Sequence, residues 1–170
     1  MQRRRLLALG AISAAVLVIG GGSLALLRPG MADARLTPTG RGVFLAVSQA
    51  ILDGSLPTVA AQRESATAAL LDRIDELIAA LPPHAQAELS QLITLLASAP
   101  GRRALIGLSA SWAESSVAEV QQGLQSMRVS AISLRRQAYQ ALHDIVGGAY
   151  FSDSQTWSAL GYPGPQKIDQ

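Results

Sequence analysis

Side chains with the means for chemistry are few in this chain. His84 and His143 are its only histidines, and it contains no cysteine, which excludes a thiolate nucleophile, a disulfide and a thiolate metal site. His84 stands directly behind Pro82-Pro83, and His143 stands beside Asp144. Neither falls in an H-x-x-x-H or E-x-x-H spacing, the patterns that bring two metal ligands onto one helix face. Asp72, Asp75 and Glu76 form a cluster of carboxylates, but they sit off the apolar stripe of their segment and read as a solvated face. No G-x-S-x-G elbow presents a serine nucleophile. Gly20-Gly21-Gly22 lies inside an apolar run and is no phosphate loop, and no dinucleotide fingerprint exists. With no catalytic, metal-binding or cofactor-binding set, the expectation is a protein that is not itself an enzyme and carries no cofactor.

The chemistry that remains is recognition, and it begins at the N-terminus. Arg3, Arg4 and Arg5 stand before an apolar run from Leu6 to Leu27, which Arg28-Pro29-Gly30 ends and the triplet Ala32-Asp33-Ala34 follows. A basic start, an apolar centre and an A-x-A site make an export signal, with Ala32 and Ala34 as the cleavage residues. Arg3-Arg4-x-Leu6-Leu7 resembles the R-R-x-hydrophobic-Leu core of twin-arginine signals, the class read by the twin-arginine translocase, which moves proteins already folded. A second reading stays open. Leu6 to Leu27 is long enough to span a bilayer core, which takes roughly 20 residues, and arginines ahead of it obey the positive-inside rule. Residues 1–34 are thus a cleaved signal or a retained inner-membrane anchor formed by 6–27, and either places the rest in the periplasm.

Charge follows from this division. Setting aside Arg3, Arg4, Arg5, Arg28 and Asp33 from the 14 basic and 12 acidic residues leaves ten and eleven. The basic character therefore belongs to the leader, and no basic patch argues for nucleic acid. Aromatics are scarce at 4%, so the core of residues 35–148 must be Leu, Ile, Val and Ala, in a segment of single-domain size.

The elements that must position any site read as helices. After a lead-in broken by Pro38, Gly40 and Gly42, the spacing of Phe44, Val47 and Ile51 predicts a helix over 43–53, stopped by Gly54. Thr58 is the candidate N-cap of a longer helix over 60–81, whose stripe is Leu70, Ile74, Leu77, Ile78 and Leu81. Pro82-Pro83 stops it, and Pro83 opens the next helix, through Ser98, with Leu89, Leu92, Ile93 and Leu96 inward. The two read as an antiparallel pair joined by a tight turn. Pro100-Gly101 breaks the chain before a short helix over 102–108. A helix over 111–126 follows, with Ser111 and Glu114 as its candidate capping box. The last long helix, 129–146, turns Ile132, Tyr139, Leu142 and Ile145 or Val146 inward, leaves Arg135 and Arg136 outside, and ends at Gly147-Gly148. No stretch alternates with period two long enough for a strand, so the fold class is an all-α bundle of five or six helices.

Residues 149–170 depart from that pattern. Tyr150, Phe151, Trp157 and Tyr162 are four of the chain's seven aromatics. Asp153 is placed to cap a short helical turn through Trp157 to Leu160, with Gly161 as its stop. Tyr162-Pro163-Gly164-Pro165 then leaves extended and proline-stiffened. Aromatics bury large area at low entropic cost, so Tyr150, Phe151, Trp157, Tyr162, Pro163 and Pro165 form a candidate docking strip for a partner. The same residues would equally serve by packing on their own bundle, and the two roles are compatible.

The ending Tyr150-Phe151-Ser152-Asp153…Trp157…Leu160-Gly161-Tyr162-Pro163-Gly164-Pro165 resembles the C-terminal signature of the gluconate 2-dehydrogenase subunit 3-like (gamma-type) small subunits. The stretches Trp112-Ala113-Glu114-Ser115-Ser116-Val117 and Arg136-Gln137-Ala138-Tyr139-Gln140-Ala141-Leu142-His143-Asp144 are similar to leader-bearing relatives of that group. The resemblance implies a small helical subunit with a twin-arginine leader and no catalytic role. It also implies a large FAD-dependent dehydrogenase subunit as partner, often without its own signal, which the small subunit matures and carries across the membrane as one folded complex. A cytochrome c subunit often receives the electrons. This chain has no C-x-x-C-H and no flavin fingerprint, so haem and FAD would reside in partners. An alternative from another class is a free-standing periplasmic or membrane-tethered helical protein that holds an apolar ligand between its helices.

Overall fold

The computed structural model describes residues 29–162, apart from the side chains of 158–160. The expectations for Arg3, Arg4, Leu6 and Leu7, and for Pro163 and Pro165, lie outside the described residues. Within them the chain is an all-α protein of six α-helices, one 3-10 helix and a minimal two-stranded hairpin. No described helix is long and apolar enough to cross a membrane.

The hairpin comes first. β1 (Met31–Ala32) pairs antiparallel with β2 (Arg35–Leu36), in the register Met31↔Leu36 and Ala32↔Arg35. Asp33 and Ala34 turn the chain with φ of +49° and +58°, the two left-handed positions of a type I′ hairpin loop. An alanine there costs on the order of 1 kcal/mol, so contacts elsewhere must hold the turn. The strands are too short to show any alternation, which is why the sequence concealed them.

α1 (Pro38–Ile51) is capped by Thr37, whose side chain accepts from the Gly40 amide, and has Pro38 at its start. It begins five residues before the expected Val43. Gly40 and Gly42 read as breakers, but both are helical. A Cβ at Gly40 would lie 2.0 Å from the Gly30 carbonyl oxygen, so this glycine permits close approach of the hairpin backbone. Val43, Phe44, Ala46, Val47, Ser48 and Ala50 are all buried, a face wide enough to touch several neighbours. α1 packs against four other helices and forms the centre of the bundle.

α2 (Ala60–Ala79) starts after Val59 with no side-chain cap. Thr58 does not cap it; instead Arg63 donates to the carbonyls of Pro57 and Thr58. Leu70, Leu71, Ile74 and Ile78 are its buried stripe. α3 (Pro83–Ala97) begins with Pro83, and Gln86 donates to the carbonyls of Ala79 and Leu81 at the end of α2. The expected antiparallel pair does not form. α2 packs on α1 and on the last helix, whereas α3 packs on α1 and on the helix that follows it. Pro82, with φ −58° and ψ 149°, links the two helices.

α4 (Ala99–Leu105) is capped by Ser98 and takes Pro100 and Gly101 into its first turn. The expected break there is the helix start. Ser111 and Glu114 do bond as a box would, with Glu114 accepting from the Ser111 amide and hydroxyl, but only one turn results. Trp112 is buried and donates Nε1–H to the Leu96 carbonyl at 2.8 Å. The helix α5 (Val117–Arg128) starts later, at a full capping box of Ser116 and Glu119. The S-x-x-E spacing occurs twice within nine residues, and only the second copy is followed by an uninterrupted apolar period.

α6 (Ser133–Phe151) buries Leu134, Ala138, Leu142, Ile145, Val146 and Ala149. Ile132, expected inside, is the uncapped residue ahead of it and is 59% exposed. Gly147-Gly148 does not stop the helix, which runs to Phe151. Arg73 of α2 donates to the Ala149 carbonyl at 3.0 Å, so tertiary contact extends it past two glycines. Arg135 is half-buried and bonds the Leu105 carbonyl that ends α4.

Candidate partner-binding site

Neither histidine gains a catalytic setting. His84 is exposed in the first turn of α3. His143 is exposed on α6, with Nδ1 3.6 Å from Asp144 and its ring 5.7 Å from that of Tyr139. Among the described residues no three His, Cys, Asp or Glu side chains gather as metal ligands. The carboxylate cluster on α2 divides. Asp72 is exposed and pairs with Arg41. Asp75 is not the solvated group expected: its Oδ1 accepts from the Leu36 amide at 2.7 Å, and Oδ2 lies 3.6 Å from Arg41. Its role is to fasten β2 to α2.

The Ala32-Asp33-Ala34 triplet, expected to be a cleavage site, also has a defined place. Ala32, exposed, ends β1, and Ala34, half-buried, is the second turn residue of a hairpin whose ends are buried. The boundary expected between 34 and 35 therefore falls within the hairpin.

At the opposite end of the chain the aromatics gather. After α6 the chain forms the 3-10 helix Ser154–Leu160, where Asp153 accepts from the Gln155 amide and Gly161 stops the turn with φ +69°. Arg73 pairs with Asp153 at 3.4 Å while bonding Ala149, so one guanidinium holds both the end of α6 and the turn after it. Thr156 Oγ1 donates to the Asp153 carbonyl at 2.7 Å. Trp157 is half-buried and donates Nε1–H to the Phe151 carbonyl at 2.7 Å, satisfying an acceptor that the end of a helix leaves open.

Within this frame the four aromatics separate into two kinds. Tyr150 packs against the core and its hydroxyl donates to the Ser55 carbonyl in the α1–α2 loop. Phe151 stands edge-on to it, with ring centroids 5.1 Å apart, yet is 43% exposed. Trp157 meets Tyr162 edge-on at 5.5 Å, and Tyr162 is 49% exposed. Tyr150 and Trp157 are thus occupied internally, while Phe151 and Tyr162 present their rings to the outside from fixed positions. The inward role of Tyr150 carried no local signal, because its partner Ser55 lies 95 residues away.

The arrangement offers exposed aromatic edges on a hydrogen-bonded frame, features that a contact surface uses. No protein-family model, curated protein or solved structure matches the chain.

Proposed function

We propose that the chain is a non-catalytic small subunit that binds a folded FAD-dependent dehydrogenase, carries it through the twin-arginine translocase, and remains its structural partner in the periplasm. Flavin and substrate chemistry reside in the large subunit, and a cytochrome c subunit takes the electrons. The observation that carries this reading is the pair of outward rings, Phe151 and Tyr162, held by Trp157, Thr156 and the Arg73–Asp153 pair. Preorganised anchors lose little entropy on docking. The N-terminus supports the same reading, since Arg3-Arg4-x-Leu6-Leu7 resembles the signal that directs folded cargo to the twin-arginine translocase.

The test is co-purification from cells of the native host. Wild-type chain should recover a flavin-containing protein from the periplasmic or membrane fraction. Phe151→Ala with Tyr162→Ala should lose it, because anchors of this kind contribute about 2 kcal/mol or more each, roughly thirtyfold in affinity. Both side chains are surface-exposed, so the double variant should keep its helical circular dichroism. Recovery of the same flavoprotein at wild-type yield with both rings gone would reject the site.

A further inference from the structure

The hairpin at residues 30–36 is part of the folded body, and it contains the cleavage triplet. The Gly30 amide donates to Thr94 Oγ1 of α3 at 2.9 Å in a buried hydrogen bond. A Cβ on Gly30 would stand 2.5 Å from Ile93 Cγ2, so the chain is pressed directly onto α3. The Gly30 carbonyl accepts from the Thr37 amide at 3.1 Å. Met31 and Leu36 are 6% and 7% exposed and belong to the core, and Asp75 holds the Leu36 amide. Cutting after Ala34 would separate Met31 from the core and Gly30 from Thr94. A peptidase also reads its substrate as an extended strand, whereas Asp33 and Ala34 are fixed in left-handed conformations.

We infer that folding closes the Ala32-Asp33-Ala34 processing site, so that a chain exported in the folded state keeps its leader, and the apolar segment 6–27 remains as its membrane tether. This rests on the export reading of the leader given above. It makes processing a report on route: a chain threaded unfolded is cut after Ala34, and a chain folded beforehand is not. The hairpin is therefore a folding-gated modification site, with signal peptidase as the agent excluded.

Full-length chain in detergent, incubated with purified signal peptidase, tests this without depending on export. Asp75→Ala with Thr94→Val removes both acceptors that hold the hairpin and leaves residues 29–36 unchanged. The wild type should be cut after Ala34 at least about a hundredfold more slowly than this variant, as where cleavage waits on local opening. Equal rates, or no cutting of either protein, would overturn the inference. Amide hydrogen exchange supplies a second reading that needs no variant: Gly30 and Leu36 should be protected to the level of α1, and exchange at free-chain rates would overturn it. In cells, membrane-bound chain with its Met1 end intact and open to protease added outside the inner membrane supports the inference. Periplasmic chain beginning at Arg35 overturns it. Chain found only in the cytoplasm defeats the export reading, and the peptidase and exchange results then decide the inference by themselves.

Discussion

Trp157 concentrates the two roles weighed for the tail. Its indole N–H is bonded within the chain, to Phe151, and its ring backs Tyr162. Removing it should release the turn rather than unfold the bundle, since the residue is half-buried and lies outside the main core. Trp157→Ala is expected to speed limited proteolysis between Ser152 and Tyr162, with the melting temperature of the helical body little changed. A drop of many degrees would instead make the tail part of the cooperative core. Asp75 carries a related lesson. Its position among Asp72 and Glu76 reads as a solvated face, and only the arrival of β2, 39 residues earlier in the chain, gives it a donor to hold.

At the scale of the element, α5 and α6 make opposite use of glycine. Gly123 sits where a Cβ would be 2.5 Å from Ile106 Cγ1 and 2.8 Å from the Ile106 carbonyl oxygen. Gly123→Ala should therefore destabilise by about 1–3 kcal/mol through overpacking. Gly147, inside α6, has nothing within 4 Å of an added Cβ, so Gly147→Ala should stabilise by roughly 0.5–1 kcal/mol. Denaturant melts of the two variants should move in opposite directions, and a shared direction would contradict the packing described.

The start of α5 adds a pH dependence. Hydrogen bonds from the Ser116 amide and then its hydroxyl hold the Glu119 carboxyl below its usual 4.5. Bonds from the Ser111 hydroxyl and then its amide do the same for Glu114. A carboxyl with a lower pKa in the folded state adds stability above its unfolded value and loses it as pH falls through the folded one. The Ser116 and Glu119 amide signals should therefore shift on acidification with a midpoint below 4.5. Midpoints at or above 4.5 would show that the capping box is not formed in solution.

For the whole molecule, α1 is the hub on which α2, α3, α5 and α6 converge, and the aromatic end is fixed to that hub through Tyr150 and the α1–α2 loop. A body so organised must be folded before its aromatic end is assembled, as the proposed export of a folded chain requires. Replacing Arg3 and Arg4 together by lysine should leave the chain, and any signal-less partner, in the cytoplasm. Normal export of the double variant, followed by fractionation and blotting, would point to the general secretory route and remove the folded-escort argument.

What the sequence determined by itself is what a local period can encode. The stripes at Leu70-Ile74-Ile78 and Leu89-Leu92-Ile93-Leu96 specified helices with a buried face, because burial repeats every 3.6 residues whatever the partner. The absence of cysteine, of ligand spacings and of nucleotide loops likewise limited the chemistry without any geometry. The tertiary structure decided the rest. Gly147-Gly148 reads as a stop, but Arg73 and Asp153 carry α6 past it. Pro82-Pro83 reads as a tight turn, but α2 and α3 each pack on α1 instead. Ala32-Asp33-Ala34 reads as a disposable boundary, but Thr94 and Asp75 bind the segment around it into the body. In each case the deciding group is distant in sequence, and a local pattern holds no information about which remote donor, acceptor or surface folding will bring beside it.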